Sequence, residues 1–155
     1  MRKIQIVPFS KSEEMRKYFY EYLTELSQFD PNIKFNEKGT PIYQWFDYYW
    51  KEKERYPMYF MVNNQVAGLA LVRELEDMVY EVAEFYILPE FRGNGNAIWF
   101  ATEITKLFDG QFEISTKFSN PRAISFWGKF VKSFNECEVS DDEIWRNWII
   151  RRKGN

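Results

Sequence analysis

The chain has 155 residues, 45% of them hydrophobic and 20% aromatic, with a formal net charge of -2 at pH 7. That length suits a single domain with one core, and the apolar, aromatic content excludes a disordered chain. The spread of charge offers no basic field for nucleic acid and no apolar run approaches a membrane span, so neither is an expected partner.

In chain order, Met1-Arg2-Lys3 leads into Ile4-Gln5-Ile6-Val7, a short strand ended by Pro8 and not an apolar signal core. Ser10 with Glu13, or Ser12 alone, is placed to cap a helix with Met15, Tyr18, Phe19, Tyr22, Leu23 and Leu26 on its core face. A polar connector, Asp30 to Gly39, precedes Thr40-Pro41, which opens a second expected helix with Ile42, Trp45, Phe46, Tyr49 and Trp50 on one stripe and Tyr43, Asp47 and Tyr48 beside it. That aromatic density exceeds what one packing face needs, so these rings either line a pocket or only cover a sheet.

Met58 to Val62 and Gln65 to Arg73 read as strands around the two-residue turn Asn63-Asn64, and Glu74 to Asp77 turns the chain into Met78 to Leu88. Tyr80 to Leu88 is apolar on both faces, as a strand covered on both sides should be. Gly93 and Gly95 then lead into a helix marked by Ile98, Ala101, Ile104 or Thr105, and Phe108, stopped at Asp109-Gly110. Gln111 to Thr116 is the next strand and Asn120-Pro121 opens a further helix. Phe134 to Val139 and Ile144 to Ile150 form a closing pair, and Arg151-Arg152-Lys153 reads as a solvated tail. The element order predicts an α/β (α+β) fold, a mixed, twisted sheet with helices on both faces, without repeats or a linker.

The strand-to-helix junction carries the chemistry. Two glycines let the backbone turn with its N–H groups exposed, and the new helix adds the positive end of its dipole, which makes an anion cradle. Asn96-Ala97 stands where a P-loop needs Lys-Ser or Lys-Thr, and a Rossmann fingerprint would need a third glycine and a later acidic residue. What remains is Arg92-x-x-Gly95-x-Ala97 after Ile87-Leu88-Pro89, followed by Asn120-Pro121-Arg122-Ala123-Ile124-Ser125-Phe126-Trp127. The first resembles the Arg/Gln-x-x-Gly-x-Gly/Ala signature of the GNAT superfamily of acetyl-CoA-dependent N-acetyltransferases, and the second resembles its Asn-x-x-Ala-x-x-Phe-Tyr element.

The resemblance implies one GNAT-type domain over residues 1–155, with a mostly antiparallel sheet of about seven strands. It implies acetyl-CoA as cosubstrate, its pyrophosphate held by Arg92, Gly93, Asn94, Gly95, Asn96 and Ala97, with Phe85, Ile87, Asn120 and Trp127 along the rest of the coenzyme. Asn120 has a plainer alternative as a polar residue at a helix start. The implied reaction moves the acetyl group to a primary amine of a small molecule or protein, with Trp45 and Tyr49 walling the acceptor site of a monomer or homodimer. A non-catalytic acetyl-CoA-binding regulatory module is the alternative, because Trp127 stands where many relatives have a tyrosine that protonates the departing thiolate. An indole N–H is too weakly acidic for that task, although a thiol with a pKa of about 8.5 can leave with water's help.

The sequence has no histidine and one cysteine, Cys137. Histidine triads, histidine metal sites, thiolate clusters and internal disulfides are therefore out of reach, no metal is expected, and the cytoplasm is the default location. Proton transfer falls to carboxylates, tyrosine, lysine, backbone or water. Strand alternation puts Glu81 with Ala83, Phe85 and Ile87 on one face, and Glu84 with Tyr80, Val82 and Tyr86 on the other. Counting back from Arg92, Glu81 matches the catalytic glutamate of several branches and is favoured as base over Glu84, whose half-buried carboxyl should have a raised pKa. A structural, hydrogen-bonded carboxylate is the alternative for each.

Overall fold

The computed structural model describes residues 1–151; Arg152 and Lys153 of the basic tail lie outside them. Its strands are β1 (Arg2–Ile6), β2 (Arg55–Val62), β3 (Gln65–Glu76), β4 (Val79–Ile87), β5 (Gln111–Lys117), β6 (Glu136–Asp141) and β7 (Trp145–Arg151). They form one seven-stranded sheet in the order β1-β2-β3-β4-β5-β7-β6. Every neighbouring pair is antiparallel except β4 and β5. The mixed sheet expected from the element order, and its mostly antiparallel, seven-stranded form implied by the resemblance, are therefore present.

Helix α1 (Ser12–Leu26) lies on one face of the sheet, and α2 (Asn96–Leu107) with α3 (Pro121–Phe130) on the other. Met15, Phe19 and Leu23 recur every four residues along α1, so one stripe meets Tyr59, Leu69 and Leu71 of the sheet. Phe100, Ala101 and Ile104 of α2 and Trp127 and Phe130 of α3 pack against Phe60, Val82, Phe112 and Ile114 on the opposite face. No helix among the described residues is long and apolar enough to cross a membrane.

Three local expectations are corrected. Neither Ser10 nor Ser12 caps α1: a 3-10 turn, Phe9–Lys11, feeds the helix, Lys11 is the cap without a side-chain bond, and Ser12 is buried. The segment after Thr40-Pro41 is not an α-helix. Pro41 instead makes a β-bridge with Phe35, and only Phe46–Trp50 is helical, as a 3-10 turn. Its crowded aromatics have poor helix propensity, and the tighter turn still buries Phe46 and Tyr49 while Trp50 Nε1 donates to the Val7 carbonyl at 2.8 Å. The third correction is the turn expected at Glu74: β3 runs on to Glu76, and Met78 takes the positive φ, 60°, that closes the hairpin.

Gly110 sets where β5 starts beside β4. A Cβ there would lie 2.2 Å from the Met78 carbonyl oxygen, which accepts the Gln111 N–H at 2.9 Å. Gly110→Ala is therefore expected to cost about 2–4 kcal/mol, because backbone must move on both strands. Denaturant unfolding should show a lower midpoint, and an unchanged midpoint would contradict the close approach.

Candidate active site

The parallel pairing of β4 with β5 is short: only Val79–Glu81 meet Gln111–Glu113. Past Glu81 the strands diverge, while β5 continues in register with β7. The gap opens a trough lined from one side by Tyr22 and Leu26 of α1 and from the other by Ala123 and Trp127 of α3. Along this stretch, those β4 backbone groups that would bond β5 have no strand partner.

A β-bulge changes which side chains enter the trough. On the β3 side, Leu71 pairs with Glu84 and Val72 with Val82, leaving Ala83 unpaired. Tyr80, Val82, Phe85 and Ile87 consequently pack together on the α2–α3 face, whereas Tyr86 packs on the α1 face. The separation of Glu81 and Glu84 onto opposite faces, expected from strict alternation, is overturned. Both line one cavity of about 330 Å³, together with Tyr43, Trp45, Tyr49 and Trp145.

The two carboxylates have different surroundings. Glu81 accepts a 2.7 Å bond from Arg73 Nε, and the pair is partly exposed. Glu84 is half-buried, and what remains accessible of it faces the trough. Tyr22 donates to Glu84 Oε1 at 2.7 Å and Tyr43 to Oε2 at 3.4 Å. Burial pushes the Glu84 carboxyl up to about 7, and the Glu81 charge adds to this while the two phenols hold it back. The Tyr22 and Tyr43 hydroxyls are themselves pushed up, by burial first and then by the Glu84 charge. Neither phenol is singled out by the sequence: Tyr22 sits on an apolar stripe, and only its hydroxyl hints at a polar partner.

At the other end of the trough, Gly93, Asn94 and Gly95 all have positive φ, at 89°, 55° and 73°. The loop is pinned from outside, as Arg2 donates to the Asn94 carbonyl at 2.6 Å and the buried Asn96 donates through Nδ2 to Phe91 at 2.6 Å. Asn96 N–H bonds Gly93 and Trp99 N–H bonds Gly95. Among the described residues, nothing accepts the N–H groups of Gly95, Ala97 and Ile98, and a Cβ on Gly93 or Gly95 would meet nothing within 4 Å. The result is an open cradle of unpaired amides at a helix start, fit for a phosphate-bearing group. Arg92 does not close over it: its guanidinium bonds Glu25 at 2.6 Å and the Ile87 carbonyl at 3.0 Å.

Between the ends, Phe85 stacks against Phe100 and Phe126 and meets Trp127 edge-on at 5.0 Å. Phe85, Ile87, Arg92, Ala97, Asn120 and Trp127 line one continuous stretch beside the loop. Asn120 uses its side-chain oxygen to accept the Ala123 N–H at 3.2 Å, so it serves as the N-cap of α3. Lys117, at the end of β5, reaches Asp30 in the connector after α1 at 2.8 Å and ties the trough's walls together. Glu81, Glu84, Phe85, Ile87, Arg92, Ala97, Asn120 and Trp127 thus line adjoining parts of the trough, with Trp45 and Tyr49 in the part beside Glu81, while Gly93, Asn94 and Gly95 form the loop next to Arg92 and the Asn96 side chain is buried against Phe91.

The acetyltransferase (GNAT) family model matches residues 14–131. No curated protein matches the chain by sequence. Among solved structures, a GNAT-family acetyltransferase of Streptococcus agalactiae is similar at TM-score 0.72 and 14% identity, over 99% of this chain and 96% of that one. An acetyltransferase of Thermus thermophilus is similar at TM-score 0.69 and 10% identity, over 96% of each chain. The Campylobacter jejuni N-acetyltransferase PseH, solved with acetyl coenzyme A, is similar at TM-score 0.61 and 14% identity, over 99% and 100%. These likenesses are of fold. With the family model spanning most of the chain, and with both the glycine loop and the α3 start inside it, the protein belongs to the GNAT acetyltransferase family.

Proposed function

We propose that the protein transfers the acetyl group of acetyl-CoA to a primary amine of a small molecule or protein, with Glu84 as the general base. One observation carries this reading: a single trough joins an amide cradle for phosphate to a carboxyl pushed up to about 7 at the edge of an aromatic cavity. The structure of an N-acetyltransferase of similar fold with acetyl coenzyme A supports the choice of coenzyme.

Acetyl-CoA supplies an acyl carbon on a thioester; the amine nitrogen bonds to it as the C–S bond breaks and the thiol leaves. The nitrogen must first lose a proton, and a base poised near neutrality takes it most efficiently. Glu84 fits this role better than Glu81, because Glu81 is bound by Arg73 and Glu84 lies further into the opened part of β4, nearer the glycine loop. The β4 amides past Glu81 that have no strand partner on the β5 side offer donors to the oxygen that gathers charge. Loop amides of Gly95, Ala97 and Ile98 serve the pyrophosphate, and Phe85, Ile87, Ala97 and Trp127 line the path of the pantetheine arm. The test is amine-dependent release of free thiol from acetyl-CoA. Release that requires the amine supports transfer, and coenzyme binding without release under any amine contradicts it.

Trp127 favours a second reading, a non-catalytic coenzyme-binding module, because the indole cannot protonate a thiolate. Trp127 is 6% exposed and packed edge-on against Phe85, Phe126 and Phe130. Trp127→Tyr should keep coenzyme binding, lose about 1–2 kcal/mol of stability through the smaller ring, and keep or raise turnover. A silent wild type with an active tyrosine variant would favour the module. A tyrosine variant markedly slower than an active wild type would show that the indole shapes the site.

A further inference from the structure

The end of the trough remote from the glycine loop holds donors that transfer to a plain amine does not use. Arg55 of β2 and Arg73 of β3 are direct cross-strand partners, so their side chains leave the same face of the sheet. Both line the cavity that Glu81 and Glu84 share with Tyr49 and the two tryptophans Trp45 and Trp145. Each arginine is tethered through Nε, Arg55 to Glu52 and Arg73 to Glu81, at 2.7 Å in both cases. Beside them Tyr49 is 3% exposed and its hydroxyl has no hydrogen-bond partner of good geometry; burial and then the Glu84 charge push that hydroxyl up, and the Arg55 charge holds it back. The Arg55 guanidinium lies 5.1 Å from the Tyr49 ring centroid.

The nearby carboxylates are already engaged: Glu81 with Arg73, Glu84 with Tyr22 and Tyr43, and Glu52 with Arg55. Among the described residues, none of them takes a hydrogen bond from the terminal amino groups of the two arginines. Planar guanidinium donors with this spare capacity, flanked by aromatic faces, match an oxygen-rich anion on an apolar body. Glu52 and Glu81 each balance one arginine through its Nε, so the wall offers an anion terminal guanidinium donors and not a surplus of charge.

Resting on the acetyltransferase reading of the trough, we propose that the acceptor amine also carries a carboxylate, bound by Arg55 and Arg73 while the amine lies at Glu84. Glu81, which marks the level of Arg73, and Glu84 are three residues apart on a bulged strand. At about 3.3 Å of rise per residue, this sets amine and carboxylate roughly 6–10 Å apart. An ω-amino acid or a lysine-like amine fits that span, and an α-amino group beside its own carboxylate does not.

Calorimetry in the presence of coenzyme A tests this with ε-aminocaproate, hexylamine and the phosphonate analogue of ε-aminocaproate. ε-Aminocaproate is expected to bind at least about tenfold more tightly than hexylamine, and Arg55→Met or Arg73→Met should collapse that preference, with Arg→Lys retaining part of it. Hexylamine binding as tightly, neither amine binding, or a preference that survives both methionine variants would overturn the proposal. A tenfold preference for the phosphonate would overturn the assignment to a carboxylate. The comparison of ligands on the wild type does not depend on how the variants fold. Acetyl-CoA is titrated separately: its failure to bind would sink the acetyltransferase reading while the anion preference is still read from the amines.

Discussion

Glu84→Gln is expected to lower kcat for acetyl transfer by about 100- to 10,000-fold near neutral pH, the usual worth of a positioned base. Glutamine keeps the shape and can still bond Tyr22 and Tyr43, but it takes up no proton. The pH dependence adds a second signature. With the Glu84 carboxyl at about 7 in the folded protein, wild-type kcat should fall as pH drops below about 7, and the variant's residual rate should lack that limb.

Stability should move the other way. Folding raises this carboxyl from its ordinary value of 4.5 to about 7, so the native state binds the proton more tightly than the unfolded chain does. That contribution is full below about 4.5 and is lost as pH rises through about 7. Relative to wild type, Glu84→Gln should therefore gain about 1–3 kcal/mol between pH 4 and pH 8, with the phenol bonds offsetting part of the gain. Chemical denaturation at the two pH values reads the difference, and equal values would deny the burial. Glu81→Gln is the comparison: if it alone slows turnover, the two roles are exchanged.

Gly95→Val is expected to abolish coenzyme binding with little harm to the fold. Acetyl-CoA at a hundredfold excess over its Kd should stabilise the wild type by ~2.7 kcal/mol. At φ 73° a valine strains the backbone by about 1–2 kcal/mol. Its Cβ meets no protein atom within 4 Å, and the side chain is expected to take space beside the unpaired amides of Gly95, Ala97 and Ile98. Gly39 is the matched control, with φ 79° and equally open surroundings away from the loop. Gly39→Val should carry a similar strain and keep the full coenzyme shift. A Gly95→Val protein that retains the shift would remove the loop from the coenzyme site.

Much of this is legible in the sequence because it is local. The four-residue spacing of Met15, Phe19 and Leu23, the Asn63-Asn64 turn, the glycine loop and the Asn120-Pro121 helix start each carry their geometry within a few residues. The bulge at Ala83 has no such mark, since an unpaired alanine looks like any strand residue, and a single skipped partner reverses every face assigned by counting in twos. The same applies to the partners of Glu84, which lie 62 and 41 positions away in Tyr22 and Tyr43. Arg55 and Arg73 become neighbours only through the β2–β3 register. The stretch from Thr40 to Trp50 reads as a helix although it is not one, because its aromatic spacing also suits a bridge and a 3-10 turn, which packing selected.

Acetyl transfer itself is tested most directly by following the acetyl carbon. The protein is incubated with acetyl-CoA labelled in its acetyl group and with ε-aminocaproate or hexylamine, from about pH 6 to 9 so that a thiol pKa near 8.5 is bracketed. The predicted result is label in the amide of the amine, one free thiol per amide formed, and loss of both in Glu84→Gln. Bound acetyl-CoA that yields neither thiol nor labelled amide with any amine across that range would contradict it.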